Sequence, residues 1–187
     1  NKHYKNLKDL YVVSAEEINK LSGLKNNKSL LSVVHKKNQK KESIDFSNLI
    51  IALDSVNDPG NLGTIIRIAD WFNIKSIICS KNTVDLYNSK VIQSSMGSFS
   101  RVDVFYDNLE DVLDSKDMSV FGTSTDGVDV NKFDKPDKGI ILFGSESQGV
   151  SEHLKKYVDK WISIKKNGAA ESLNVSVSVG IILHKLT

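Results

Sequence analysis

The strongest constraint on this chain is a series of four- to six-residue strand-like runs, most of them apolar, separated by stretches of helical periodicity. Residues 49–53, LIIAL, are apolar throughout, so they read as a strand covered on both faces rather than one. Further strands are expected at 75–79, 100–105, 119–123, 140–143 and 161–165, and helices at 61–72, 89–96, 109–115 and 151–157. Short buried strands alternating with helices predict an α/β fold, a mainly parallel sheet with helices on both faces. The segment after Ser172 is ambiguous: Leu173, Val175, Val177 and Val179 alternate with Asn174, Ser176 and Ser178, which by period alone is a half-buried strand. Gly180-Ile181-Ile182-Leu183 and Ser172 leave a buried helix open.

Ahead of this pattern, residues 14–22 read as a helix opened by a capping box, Ser14 with Glu17, whose inner face is Ile18 and Leu21. A short strand is expected at 30–34. The polar run 36–43 then marks a boundary, with the main domain from residue 45. Charge divides at the same place: residues 1–45 carry 10 Lys against 5 Asp or Glu, a balance of +5, and the remainder carries 15 basic and 18 acidic groups, −3. Lys36, Lys37, Lys40 and Lys41 beside His35 are the densest basic part, a solvated linker or a phosphate-attracting one. The chain opens on Asn rather than Met, and its first forty-odd residues are expected to be the end of a longer N-terminal part.

One cysteine, Cys79, excludes an intrachain disulfide and a multi-cysteine zinc site, and the four histidines have no metal-ligand spacing. No apolar run has membrane-spanning length, so neither a metal nor a membrane is expected as a partner and a cytoplasmic location is. Dinucleotide and phosphate-loop glycine motifs and the G-x-S-x-G elbow are missing.

In α/β sheets ligands bind beyond the carboxyl ends of the strands, which directs attention to three loops. After residues 49–53 comes Asp58-Pro59-Gly60, a turn into a helix on which Gly63 lies one turn below Arg67. Either that glycine only permits close packing and Arg67 only pairs with Asp70, or the gap admits a ligand beside a guanidinium. After residues 140–143 comes Gly144-Ser145-Glu146-Ser147-Gln148-Gly149, two glycines bracketing a carboxylate. After residues 161–165 a loop runs through 165–171 into Ser172-Leu173-Asn174, where buried polar groups would need partners.

These three segments, Asn61-x-Gly63-x-x-x-Arg67, Ile141 through Gly149, and Glu171-Ser172-Leu173-Asn174-Val175-Ser176-Val177, resemble motifs one, two and three of the SpoU (TrmH-like) RNA ribose methyltransferases of the SPOUT superfamily. The resemblance covers residues 46–187; residues 1–44 resemble the remnant of an L30e-like substrate-binding domain with a linker. It implies transfer of a methyl group from S-adenosyl-L-methionine to a ribose 2′-hydroxyl of rRNA or tRNA, a homodimer, and a C-terminal trefoil knot around the cofactor. Knots are exceptions to the rules of chain connection and no pattern here announces one. The resemblance also makes the segment after Ser172 a helix. It assigns Thr123, Gly144, Ile164 and Leu173 to cofactor binding, and Asn61, Arg67, Glu146, Ser172 and Asn174 to substrate handling and catalysis. Ser163 stands where the family commonly has proline, which implies a less rigid loop before Ile164 but not loss of binding. The rival readings are a non-catalytic RNA-binding module of the same fold and a knotted base methyltransferase.

Overall fold

The computed structural model describes residues 9–23, 30–37, 44–114 and 118–187. Its contacts divide the chain into two compact units, residues 1–38 and 39–187. In the first unit the expected helix is present as α1, Ala15–Leu21, with both halves of the capping box: the Glu17 amide donates to Ser14 Oγ at 3.2 Å and the Ser14 amide to Glu17 Oε2 at 2.8 Å. Residues 30–34 do not form the expected strand. A strand needs a neighbour for its backbone groups, and every strand pairing among the described residues lies within 49–163. Lys40 and Lys41 of the basic run lie outside the described residues.

The second unit is built on six parallel strands, β1 Leu49–Leu53, β2 Ser76–Ser80, β3 Asp103–Asp107, β4 Val120–Asp129, β5 Gly139–Phe143 and β6 Lys160–Ser163, in the order β3-β2-β1-β5-β4-β6. Between and after them run α2 Pro59–Trp71, α3 Ser89–Ser94, α4 Leu109–Asp114, α5 Glu152–Lys155 and α6 Val175–Leu186. Alternate residues of the central strands feed two cores. Ile51, Leu53, Ile77, Cys79, Ile141 and Phe143 pack with Leu62, Ile65, Ile66 and Ala69 of α2 and Val179, Ile182 and Leu183 of α6. Ile50, Ala52, Ile78, Ile140 and Leu142 pack with α4 and α5 through Leu109, Val112, Leu113 and Leu154. Burial on both faces is why β1 and β5 are apolar at every position.

Several boundaries differ from expectation for identifiable reasons. The strand expected at 100–105 starts at Asp103, because Gly97, at φ +88°, turns the chain into a 3-10 turn over Ser98–Ser100. The strand expected at 119–123 continues to Asp129 through an irregularity, and the one expected at 161–165 ends at Ser163, where the chain leaves the sheet. The helix expected at 151–157 keeps only Glu152–Lys155. The alternating segment is a helix: buried Val175, Val179, Ile182, Leu183 and Leu186 follow helical spacing, while Val177, which a strand would bury with its alternate neighbours, is 49% exposed. Among the described residues no helix is long and apolar enough to cross a membrane.

Candidate active site

The carboxyl ends of β4, β5 and β6, the loop after β5 and the segment entering α6 enclose a cavity of about 820 Å³. All four residues expected to hold a cofactor, Thr123, Gly144, Ile164 and Leu173, line it, as do Glu146 and Ser172. Thr123 closes β4 against β5 by donating its hydroxyl to the Leu142 carbonyl at 3.1 Å. Gly144 is required by its surroundings: the loop returns on itself, with Ser145 and Gly149 exchanging backbone hydrogen bonds of 3.1 and 2.9 Å, and a Cβ at 144 would overlap the backbone of Gly149 and Val150. Gly149 allows the return by adopting φ +66°. Beneath the loop, the buried Asp54 accepts the Ser151 amide at 2.8 Å, tying the end of β1 to the start of α5.

Three side chains from distant parts of the sequence form one hydrogen-bonded line at the edge of this cavity. Asn174 caps α6, its Oδ1 accepting the Ser176 amide at 2.9 Å and the Val177 amide at 3.4 Å. With Oδ1 committed, its Nδ2 is the group left to face Asn61, and it donates to Asn61 Oδ1 at 2.9 Å. That in turn leaves Asn61 Nδ2 to donate to Glu146 Oε1. The N-terminus of α6 thus dictates the orientation of both amides, and the line ends on a carboxylate that borders the cavity and whose Oε2 has no partner among the described residues. Asn61 is itself fixed at the start of α2, where its amide donates to the capping Asp58 at 2.8 Å. The polar Asn174, which a strand among valines would have left to find a partner, has two kinds.

Arg67 is not brought into this line. It lies six residues along α2 from Asn61, about 9 Å of rise and about 120° around the axis, exposed and without a hydrogen bond or ion pair among the described residues. The simple pairing with Asp70 does not form. Asp70 instead accepts Arg101 Nε at 2.9 Å, Arg101 Nη2 at 2.6 Å and Ser98 Oγ at 2.8 Å, partners that hold its carboxyl below the usual carboxylate range. Gly63, by contrast, does what the packing reading required. A Cβ there would strike Ser94 Oγ and come within 2.7 Å of the Val91 carbonyl oxygen, so the missing side chain is what lets α3 lie on α2.

The cavity has more polar lining than the sequence pointed to. Ser124, Thr125 and Asp126, on the extended part of β4, and Lys155 of α5 also border it. The only hint was Gly127, whose absent side chain leaves room for the backbone of β6. A floor of Ile162, Ile164, Val175 and Ile182, with Asp126, Glu146 and Glu171 on one hand and Lys155, Lys165 and Lys166 on the other, suits an amphipathic ligand carrying both charges.

Set against known families, residues 48–184 match the model described as the SpoU rRNA Methylase family. The chain belongs to this family. Among its relatives is the 23S rRNA (guanosine(2553)-2′-O)-methyltransferase RlmP of Bacillus subtilis, 28% identical over 180 residues that cover 94% of this chain and 71% of that one. Among solved structures, the AdoMet-bound rRNA methyltransferase from Sinorhizobium meliloti is 32% identical with a TM-score of 0.71, covering 76% of this chain and 56% of that one. The SpoU methyltransferase AviRb from Streptomyces viridochromogenes, in complex with AdoMet, is 30% identical with a TM-score of 0.70, covering 77% and 61%. The chain therefore spans 56% and 61% of the length of these two crystallised relatives.

Proposed function

We propose that this chain is an S-adenosyl-L-methionine-dependent RNA methyltransferase that acts on a ribose 2′-hydroxyl of rRNA or tRNA. The observation that carries the proposal is the Asn174–Asn61–Glu146 line, which joins the three motif segments at the edge of the amphipathic cavity. The cavity lies in the size range of small-molecule sites, roughly 300–1,000 Å³. Thr123, Gly144, Ile164 and Leu173 would hold the cofactor, and the carboxylates of Asp126, Glu146 and Glu171 would sit near its cationic part. Bound there, S-adenosylmethionine supplies an electrophilic methyl group on a sulfonium, so what the protein must add is alignment of a weakly acidic hydroxyl and an exit for its proton.

Glu146 Oε2, without a donor among the described residues, can accept a hydrogen bond from the ribose, and Ser172 can reach the same sugar from the α6 side. Asn61 and Asn174 keep the carboxylate in place. A guanidinium stays protonated in proteins, so Arg67 serves as an anchor for the RNA phosphate and the developing alkoxide, with the proton passing to phosphate or water. Because Arg67 points away from its own chain's line and Trp71, one turn further on, is 84% exposed, α2 suits a homodimer in which this face meets the partner subunit. We further assign residues 1–44 to an L30e-like substrate-binding domain with a linker, the C-terminal segment to a trefoil knot, and the protein to the cytoplasm.

The test is transfer of radiolabelled methyl groups from S-adenosylmethionine to unmodified rRNA and tRNA by this protein. Arg67→Ala should bind S-adenosylmethionine with unchanged affinity and lose at least a hundredfold in transfer, about 2.7 kcal/mol of barrier. Near-normal transfer by that variant would sink the anchor role, and methylation of a target with 2′-deoxyribose would move the chemistry to a base.

A further inference from the structure

We infer that the Ser163 hydroxyl is a positioning group for the cavity wall: it sets how residues 124–127 lie against β6, and through them how the methyl donor is held. The inference rests on the cofactor reading above and concerns a residue that does not itself line the cavity.

The pairing of β4 with β6 carries the argument. Phe121 lies opposite Lys160, Gly122 opposite Trp161 and Thr123 opposite Ile162; pairing then resumes with Val128 opposite the same Ile162 and Asp129 opposite Ser163. Residues 124–127 have no opposite number in β6, so they stand out as a finger pinched at its base around one residue. Inserted residues of this kind leave the sheet ladder and lose its restraint. Ser124, Thr125 and Asp126 on the finger border the cavity and are exposed, so burial does not hold them either. Within the finger the Asp126 amide donates to Ser124 Oγ at 3.0 Å, which shapes the tip but does not fasten it to the sheet.

The fastening is at Gly127. Its Cα passes so close to β6 that a Cβ would come within 2.6 Å of the carbonyl carbons of Trp161 and Ile162. Its own carbonyl accepts the Ser163 hydroxyl at 2.7 Å. Ser163 is 6% exposed, so water competes poorly for that bond. The next residue is Ile164, which also borders the cavity. One buried hydroxyl therefore couples two segments of the wall, the finger of β4 and the exit of β6. Alanine at 163 would keep the strand and free the finger.

The experiment is calorimetric titration of the full chain with S-adenosylmethionine, alongside amide hydrogen exchange of residues 124–128 with and without it. Ser163→Ala should raise Kd about three- to tenfold, as expected for one neutral hydrogen bond lost from the bound geometry. It should speed exchange at 124–128 while leaving β1 protected as before. Ser163→Thr, which retains the hydroxyl, should restore both. A Kd for Ser163→Ala within twofold of the parent with unchanged exchange, or failure of threonine to restore what alanine loses, overturns the inference. If the parent chain itself does not bind S-adenosylmethionine, it is the cofactor reading that falls, and exchange at 124–128 in the unliganded protein still decides whether Ser163 holds the finger.

Discussion

Gly144→Ala is the substitution on which the geometry of the cavity can be tested most sharply. The added methyl would overlap the backbone of Gly149 and Val150, atoms that cannot rotate away as a side chain could. Two responses are open. If the loop stays closed, the strain is that of overpacking, roughly 1–3 kcal/mol. If it opens, the two Ser145–Gly149 backbone bonds of 3.1 and 2.9 Å are lost, at about 1 kcal/mol each. Either way the variant loses about 2 kcal/mol of stability, and in either case Glu146, inside the loop, shifts relative to Asn61. Urea unfolding measures the first effect, and calorimetric titration with S-adenosylmethionine the second, where a tenfold loss of affinity is expected, about 1.4 kcal/mol. Gly168→Ala is the internal control: it borders the same cavity, but a Cβ there meets nothing within 4 Å. It should be as stable as the parent or up to about 1 kcal/mol more so, through a less flexible unfolded chain. Stability of Gly144→Ala within about 0.5 kcal/mol of the parent, with unchanged affinity, would refute the reasoning.

Two further outcomes follow from the same contacts. Gly63→Ala should cost about 1–3 kcal/mol by forcing α3 from α2, and adding Ser94→Gly, which removes the side-chain half of the clash, should recover part of it in a double-mutant unfolding series. Asp70 has its carboxyl pKa depressed by Arg101 and Ser98, so its stabilisation is full above the unfolded value of about 3.9 and fades as pH falls through the lower folded value. Asp70→Asn should accordingly be less stable than the parent at pH 7, and the gap should narrow as pH falls below the unfolded value; a gap that stays constant throughout acid unfolding would assign the effect to packing instead.

The sheet was legible because its central strands are buried on both faces: an apolar run such as LIIAL admits few other readings. The last helix was not legible by period, because Val175, Val177 and Val179 satisfy a two-residue repeat as well as a helical one over so short a window. What decides for the helix is the cap at Asn174 and the burial of Ile182, Leu183 and Leu186 beyond the ambiguous stretch. The extension of β4 through Asp129 left no hydrophobic trace, since Ser124, Thr125 and Asp126 are exposed and the finger they form is fastened at Gly127 rather than by burial. At the site, the motif residues located the cavity, and their spacing puts Asn61 and Arg67 on different faces of α2, but the sequence does not give which face turns to the site. Arg67 and Asn61 share a motif and a helix, yet only Asn61 meets Glu146 and Asn174.

The line from α6 to Glu146 also imposes an order of events on a folding chain. Asn174 and Asn61 are 113 residues apart, and the amide of Asn61 is oriented only once α6 has wound far enough to claim Asn174 Oδ1. Until that loop is closed, at the entropic cost of a long-range contact, Glu146 has no fixed donor. The carboxylate is therefore set only once the last helix has docked, so the site and the α6 side of the core are completed by the same event.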